Sequence, residues 1–163
     1  MTFARPRLLA LLLALLPCLP CSANPFHITE SAPLNEVWLN PGFYSWHFDR
    51  DVDLEDNNYG FGTEYRYTTT QSVMAGRFHN SDRAMSNYAV WLWQPVTLGA
   101  IRLGALAGFI DGYYHANHGG WFPMAIPVAS YEYNNLGINL TVVPTIPDTV
   151  YGSFTIQLKL KVN

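Results

Sequence analysis

Apolar and polar residues alternate along several segments of about ten positions in this chain. In YGFGTEYRYT, residues 59–68, the aromatic side chains fall on one side of an extended chain: Tyr59, Phe61, Tyr65 and Tyr67. In FTIQLKLKV, residues 154–162, every second residue is apolar, and the residues between them are Thr155, Gln157, Lys159 and Lys161. A period of two predicts β-strands that have one apolar and one polar face.

The same pattern divides the chain into eight predicted strands. They cover residues 37–48, 59–69, 71–79, 87–96, 100–113, 121–133, 136–143 and 151–162. Several are longer than the average strand of a soluble protein, and short and long connections alternate between them. With no helix to cover an open sheet, the strands should close on themselves. The predicted fold is all-β, an eight-stranded antiparallel outer-membrane β-barrel.

The two faces of the strands predict what lies inside the barrel. We expect the apolar face to meet lipid and the polar face to line the lumen, including Glu64, Arg66, Asn139, Thr141, Gln157, Lys159 and Lys161. Six aromatic residues are expected at the membrane interfaces: Trp38, Tyr44, Trp46, Trp91, Trp93 and Trp121. A soluble barrel of the lipocalin kind, apolar inside, is the alternative. The strand lengths and the 15% aromatic content favour lipid.

The first residues have the layout of a secretory signal peptide. Arg5 and Arg7 precede an apolar run, which ends in small residues, and this predicts cleavage after Ala23. Both cysteines, Cys18 and Cys21, lie in this segment, so the mature chain is expected to have no disulfide. We therefore predict three parts: a signal peptide, residues 1–23; a short periplasmic segment, 24–36, with at most one helical turn; and a barrel domain, 37–163. The predicted location is the bacterial outer membrane.

The charge pattern and the histidines narrow the possible ligands. The formal net charge is −3, without the basic stripe expected of a nucleic-acid-binding protein. The acidic segment at 49–58 lacks the central glycine of a calcium loop, and His115 and His118 lack an evident third metal ligand. We expect no metal site and no nucleic-acid partner.

Two residues that are distant in the sequence are predicted to meet at one rim of the barrel. The first strand ends near His47 in SWHFDR, and the third ends at RFHNSDR, which contains Ser81. Both strands run in the same direction, so both ends lie on the side of the long loops. A histidine near a serine hydroxyl can act as a general base in acyl transfer. Asn80, Asp82 and Asp49 are nearby candidates for orienting the ring or stabilising an oxyanion.

Five short motifs resemble one known family in their order along the chain: SWHFDR, RFHNS, WQP at 93–95, IPVAS at 126–130 and VVP at 142–144. Together they are similar to the lipid A palmitoyltransferase (PagP) family. The resemblance implies an outer-membrane barrel that moves a palmitoyl chain from a phospholipid donor to lipid A. We expect a monomer that needs no cofactor.

The resemblance assigns roles to particular residues. The family's catalytic histidine corresponds to His47, and its Asp-Ser pair corresponds to Asn80 and Ser81. Asparagine at the first position removes the carboxylate, so Asn80 is left as a hydrogen-bond partner. Pro127 and Pro144 are expected to interrupt strand pairing and admit lipid sideways, or else simply to mark strand ends. A lipid A deacylase and a non-enzymatic small barrel are the alternative functions.

Overall fold

The computed structural model describes residues 25–163, and the predicted signal peptide with Cys18 and Cys21 lies outside the described residues. Within this range the chain forms strands and one short 3-10 helix at Asn117–Gly119. The strands are β1 (Phe26–Ile28), β2 (Pro33–His47), β3 (Asn57–Thr68), β4 (Gln71–His79), β5 (Met85–Leu98), β6 (Ile101–Ile110), β7 (Phe122–Tyr133), β8 (Leu136–Val143) and β9 (Ser153–Lys161). No helix among residues 25–163 is long and apolar enough to cross a membrane.

Strands β2 to β9 form a closed antiparallel barrel. Each strand pairs with the next one along the chain, and β2 closes the barrel by pairing with β9, from Trp38↔Lys161 to His47↔Ser153. Closure gives every one of these strands a neighbour on both sides, so none of them is an edge strand along its whole length. The predicted fold, an eight-stranded antiparallel barrel, is confirmed.

The two ends of the barrel differ in the length of their connections. Two-residue turns at 69–70, 99–100 and 134–135 lie at one end, here called the turn end. Gly99 and Asn134 have positive φ values of 60° and 53°, as tight hairpin turns require. The connections 48–56, 80–84, 111–121 and 144–152 lie at the opposite end, the loop end. His47 and Ser81 are therefore at the same end, as the sequence predicts.

The residues before the barrel form a strand where the sequence predicted at most one helical turn. β1 pairs with the end of β5, with Phe26 opposite Leu98 and Ile28 opposite Val96. The neighbouring strand β4 begins at Gln71, opposite Trp93, so the last residues of β5 extend beyond it. β1 supplies hydrogen-bond partners to the backbone groups that this extension leaves free.

The outer wall is apolar and the interior is polar or charged toward the turn end. Exposed side chains on the wall include Phe61, Val73, Trp91, Ile156, Leu158 and Leu160. Inside, Lys159 donates a hydrogen bond to Glu64 at 2.8 Å, and Arg66 donates one to Glu36 at 3.0 Å. Asn139 bonds Gln157, Thr141 bonds Thr155, and Lys161 bonds Glu36, so the predicted lumen face is confirmed.

Trp38 is not on the outer wall, where the predicted aromatic girdle would place it. Its side chain is only 1% exposed, and it lies in the interior against the cationic groups of Arg66, Lys159 and Lys161. The prediction that Trp38 lies at a membrane interface is therefore wrong. The cause is a bulge at Pro41-Gly42, where the register of β2 against β3 shifts between Asn40 and Gly42.

This bulge changes which residues of β2 face inward. Before it, Trp38 and Asn40 are buried, and after it, Ser45 and His47 are buried, so the inward positions change from even to odd. Gly42 has φ of +104°, and a Cβ there would lie 2.1 Å from the carbonyl oxygen of Asn58. Only glycine fits this position, because other residues would meet both the backbone strain and the contact.

Candidate functional site

An apolar cavity of about 400 Å³ occupies the loop-end half of the barrel interior. Its wall includes a buried cluster of Met74, Val90 and Val128, packed against Tyr88, Leu106 and Met124. Toward the turn end the lining becomes polar at Asn139 and Gln157, and charged residues fill the interior beyond them. The cavity therefore has an apolar wall and a polar floor.

His47 lies in the wall of this cavity at the loop end. It is 4% exposed, and its Nδ1 atom lies 2.9 Å from Oδ1 of Asp56. Because an ionised carboxylate only accepts hydrogen bonds, this contact places the proton on Nδ1 and leaves the Nε2 lone pair as an acceptor. The imidazole thus has the tautomer that a general base needs.

Asp56 is held in its ionised form by its neighbours. Burial alone would raise the pKa of the Asp56 carboxyl, but hydrogen bonds from His47 and Arg50 and the charge of Arg50 hold that pKa below its ordinary value of 3.8. Arg50 approaches both carboxylate oxygens, at 3.2 and 2.9 Å. A carboxylate ionised at neutral pH orients the ring and stabilises the imidazolium that forms when the ring accepts a proton.

Ser81 lies in the same cavity wall and is joined to the His47–Asp56 pair through Asn58. Its hydroxyl donates to Oδ1 of Asn58 at 3.3 Å. The Asn58 amide nitrogen donates in turn to the Ser45 hydroxyl at 2.9 Å and to the backbone carbonyl of Asp56 at 3.0 Å. The structure therefore brings His47 and Ser81 to one cavity, with the serine proton directed toward Asn58.

Asn80 precedes Ser81 but faces a different set of groups. Its amide nitrogen donates to the Ser86 hydroxyl and the Gly112 carbonyl, both at 2.9 Å. Its amide oxygen accepts from the backbone N–H groups of Asp82 and Ala84. Two donated and two accepted bonds use the full capacity of an amide, so Asn80 holds the turn after β4.

The other acidic and histidine candidates lie at or near the rim. Asp82 lines the cavity, whereas the exposed Asp49 accepts a hydrogen bond from the backbone of Asp51. His115 also lines the cavity, and the His118 ring contacts Tyr114. Among residues 25–163, no group of three His, Cys, Asp or Glu side chains is arranged to hold a metal ion.

The two predicted lateral-access prolines border a gap in the barrel wall. β7 and β8 pair only between Val128↔Thr141 and Tyr133↔Leu136. The six residues before Val128, ending in Pro127, pair with β6 but have no partner in β8 within the described chain. Pro144 follows the last residue of β8 and lines the cavity, as do Pro123 and Ala125. The cavity therefore reaches the wall where the ladder is interrupted.

Sequence reasoning missed Asp56 and Asn58. Asp56 is one of five carboxylates in the segment 49–56, and nothing in the local pattern distinguishes it. The register between β2 and β3 distinguishes it: Tyr44 pairs with Asn57, and the Ser45 backbone N–H donates to the carbonyl of Asp56. The signal that would have found these residues is the pairing of β2 with β3 across the bulge.

Comparison with known proteins adds no family assignment. No family model matches this chain, and no curated protein matches it.

Proposed function

We propose that this chain is an outer-membrane acyltransferase that moves a palmitoyl or similar chain from a phospholipid to lipid A. The observation that carries the proposal is the His47–Asp56 pair, which lies with Ser81 in the wall of an apolar cavity. An apolar cavity suits an acyl chain, and an oriented imidazole suits general-base chemistry on an ester.

The outer wall supports the proposed membrane location. Aromatic and aliphatic side chains lie exposed on it, including Trp91, Trp93, Phe109 and Leu158, at 40%, 46%, 55% and 59% exposure. An outward apolar face and a polar interior are typical of outer-membrane barrels. The gap between β7 and β8 would let a lipid chain enter from the bilayer without passing through water.

The proposed reaction exchanges one ester for another. The acceptor hydroxyl oxygen attacks the donor carbonyl carbon while Nε2 of His47 takes the hydroxyl proton. The bond from that carbon to the glycerol oxygen then breaks, and the leaving oxygen takes the proton from His47, which releases a lysophospholipid. Since the Ser81 hydroxyl donates to Asn58, its free lone pair can accept a bond from substrate, and we assign it a positioning role.

The test is the mass spectrum of lipid A from cells that express the wild-type chain or the His47→Ala variant. The wild type should add one acyl chain, and the variant should add none while it still folds, which heat-modifiable mobility on a gel reports. Acylation that persists in the variant contradicts the mechanism. Loss of a chain with the wild type would identify a deacylase instead, and an unchanged spectrum would identify a barrel without this activity.

A further inference from the structure

Arg77 differs from every other cation in the described part of the chain. Residues 25–163 contain seven lysines and arginines, and six of them have a carboxylate partner: Arg50, Arg66, Arg83, Arg102, Lys159 and Lys161. No carboxylate within the same range lies at salt-bridge distance from Arg77. It is a positive charge that the described protein leaves unneutralised.

The position of Arg77 on the barrel is also unusual. In β4 the buried residues are Ser72, Met74 and Phe78, and Arg77 is on the outward face and is exposed. The other charged residues in the strands have side chains that bond one another in the interior. Arg77 is therefore an outward charge on a wall that is otherwise mainly apolar.

The neighbours of Arg77 show its height on the wall. It lies two residues before β4 ends at the loop end, beside Phe61 of β3, which is 62% exposed. Closer to the loops, the Tyr59 and His79 rings stack with centroids 4.8 Å apart. Aromatic residues and arginines with flexible stems are typical of the level where lipid headgroups begin.

The carboxylate on the far side of β5, Asp111, is bonded to another residue. Asn87, which pairs with Arg77, donates its side-chain amide to both oxygens of Asp111, at 3.2 and 3.0 Å. That carboxylate follows β6, on the far side of β5 from β4. An anion that neutralises Arg77 must therefore come from outside the described chain.

We propose that Arg77 binds the phosphate of an anionic lipid in the leaflet that surrounds the loop end. Guanidinium forms paired, charge-assisted hydrogen bonds with phosphate oxygens. The lipid chains would lie along the apolar outward residues below Arg77, which include Ala75 and Val73 on the same strand. The site lies on the outer wall, outside the acyl cavity. The proposal depends on the membrane location in the proposed function, but it does not depend on acyl transfer.

The experiment measures lipid retention by the folded barrel. The full mature chain is reconstituted in phosphatidylcholine nanodiscs that contain either ether-linked phosphatidic acid or the matching dialkylglycerol, which differ only in the phosphate. Ether links prevent any acyl transfer from consuming the probe. Native mass spectrometry then counts the bound lipid in the wild type and in Arg77→Gln, Arg77→Lys and Arg83→Gln.

The wild type should retain the phosphatidic acid analogue over the dialkylglycerol. Arg77→Gln should reduce this retention ~5-fold, as expected for one cation at an anionic lipid surface, and Arg77→Lys should keep most of it. Arg83 is 54% exposed in a loop but is paired with Asp53, so Arg83→Gln should change little. Equal retention in wild type and Arg77→Gln, or an equal fall in Arg83→Gln, would overturn the proposal. His47→Ala should bind the probe normally, which separates this outcome from a failure of the proposed chemistry.

Discussion

The Nδ1 atom of His47 and the Oδ1 atom of Asp56 lie 2.9 Å apart because β2 and β3 pair across the bulge at Pro41-Gly42. Nine positions separate the two residues in the chain. The contact gives His47 its tautomer, and Arg50 keeps Asp56 ionised. The candidate site thus depends on the end of one strand and the loop that precedes the next.

Asp56→Asn should lower the rate of acyl transfer by ~10²-fold or more, because an amide can donate to Nδ1 and select the wrong tautomer. The rate would be measured in detergent with a defined phospholipid and lipid A. Asp49→Asn is the matched control, since Asp49 is an exposed carboxylate of the same loop that bonds only a local backbone N–H. Equal rates for Asp56→Asn and wild type would remove Asp56 from the mechanism.

The contribution of Asp56 to stability should depend on pH. Its folded-state pKa lies below 3.8, so the stabilisation is present above that value and is lost as the pH falls through the lowered pKa. The difference in free energy of unfolding between wild type and Asp56→Asn should therefore persist at about pH 5 and shrink as the pH falls below 3.8. Urea unfolding in detergent, followed by tryptophan fluorescence, measures it. A difference that grows with acidity would contradict the assignment.

Asn80→Asp should destabilise the barrel by ~1–3 kcal/mol, because a carboxylate cannot donate to the Gly112 carbonyl and leaves that acceptor unpaired. Asn134→Asp, in an exposed turn, is the control and should change stability little. Unfolding in urea compares the two variants. If Asn80→Asp raises the transfer rate without loss of stability, then Asn80 belongs to the chemical site and not to the turn.

Gly42→Ala should destabilise the barrel by ~1–3 kcal/mol or more, since it combines positive φ with a Cβ that meets the Asn58 carbonyl. Gly99→Ala separates the two effects, because Gly99 also has positive φ but has nothing within 4 Å of an added Cβ. That control should cost only ~1 kcal/mol. Equal costs, measured by urea unfolding, would mean that the close approach at the bulge has no energetic effect.

Lys159→Met should destabilise the barrel by ~3–5 kcal/mol, because it leaves Glu64 buried with one of its two cations missing. Lys161→Met is the comparison: Lys161 is 27% exposed and bonds Glu36, so its loss should cost ~0–1 kcal/mol. The free energies come from urea titration of the folded barrel in detergent. A larger loss for Lys161→Met than for Lys159→Met would show that the charges are not organised around Glu64.

Much of the barrel follows from local pattern. Alternation over residues 59–68 and 154–162 marks two strands and their polar faces, and Asn134-Asn135 marks a tight turn. Strand direction then places His47 and Ser81 at one end, which the structure confirms. The roles of these two residues in catalysis stay predictions.

The strands, the closed barrel and the end at which the candidate site lies can all be predicted from the chain, because a period of two is a property of consecutive residues. The same pattern could not determine that Trp38 faces inward, that Asp56 reaches His47, or that Asn80 holds a turn. Those outcomes depend on the register between strands, and the bulge in β2 exchanges the inner and outer faces of the rest of that strand. Register is set by contacts between residues far apart in the chain, so these three features become visible only in the folded barrel.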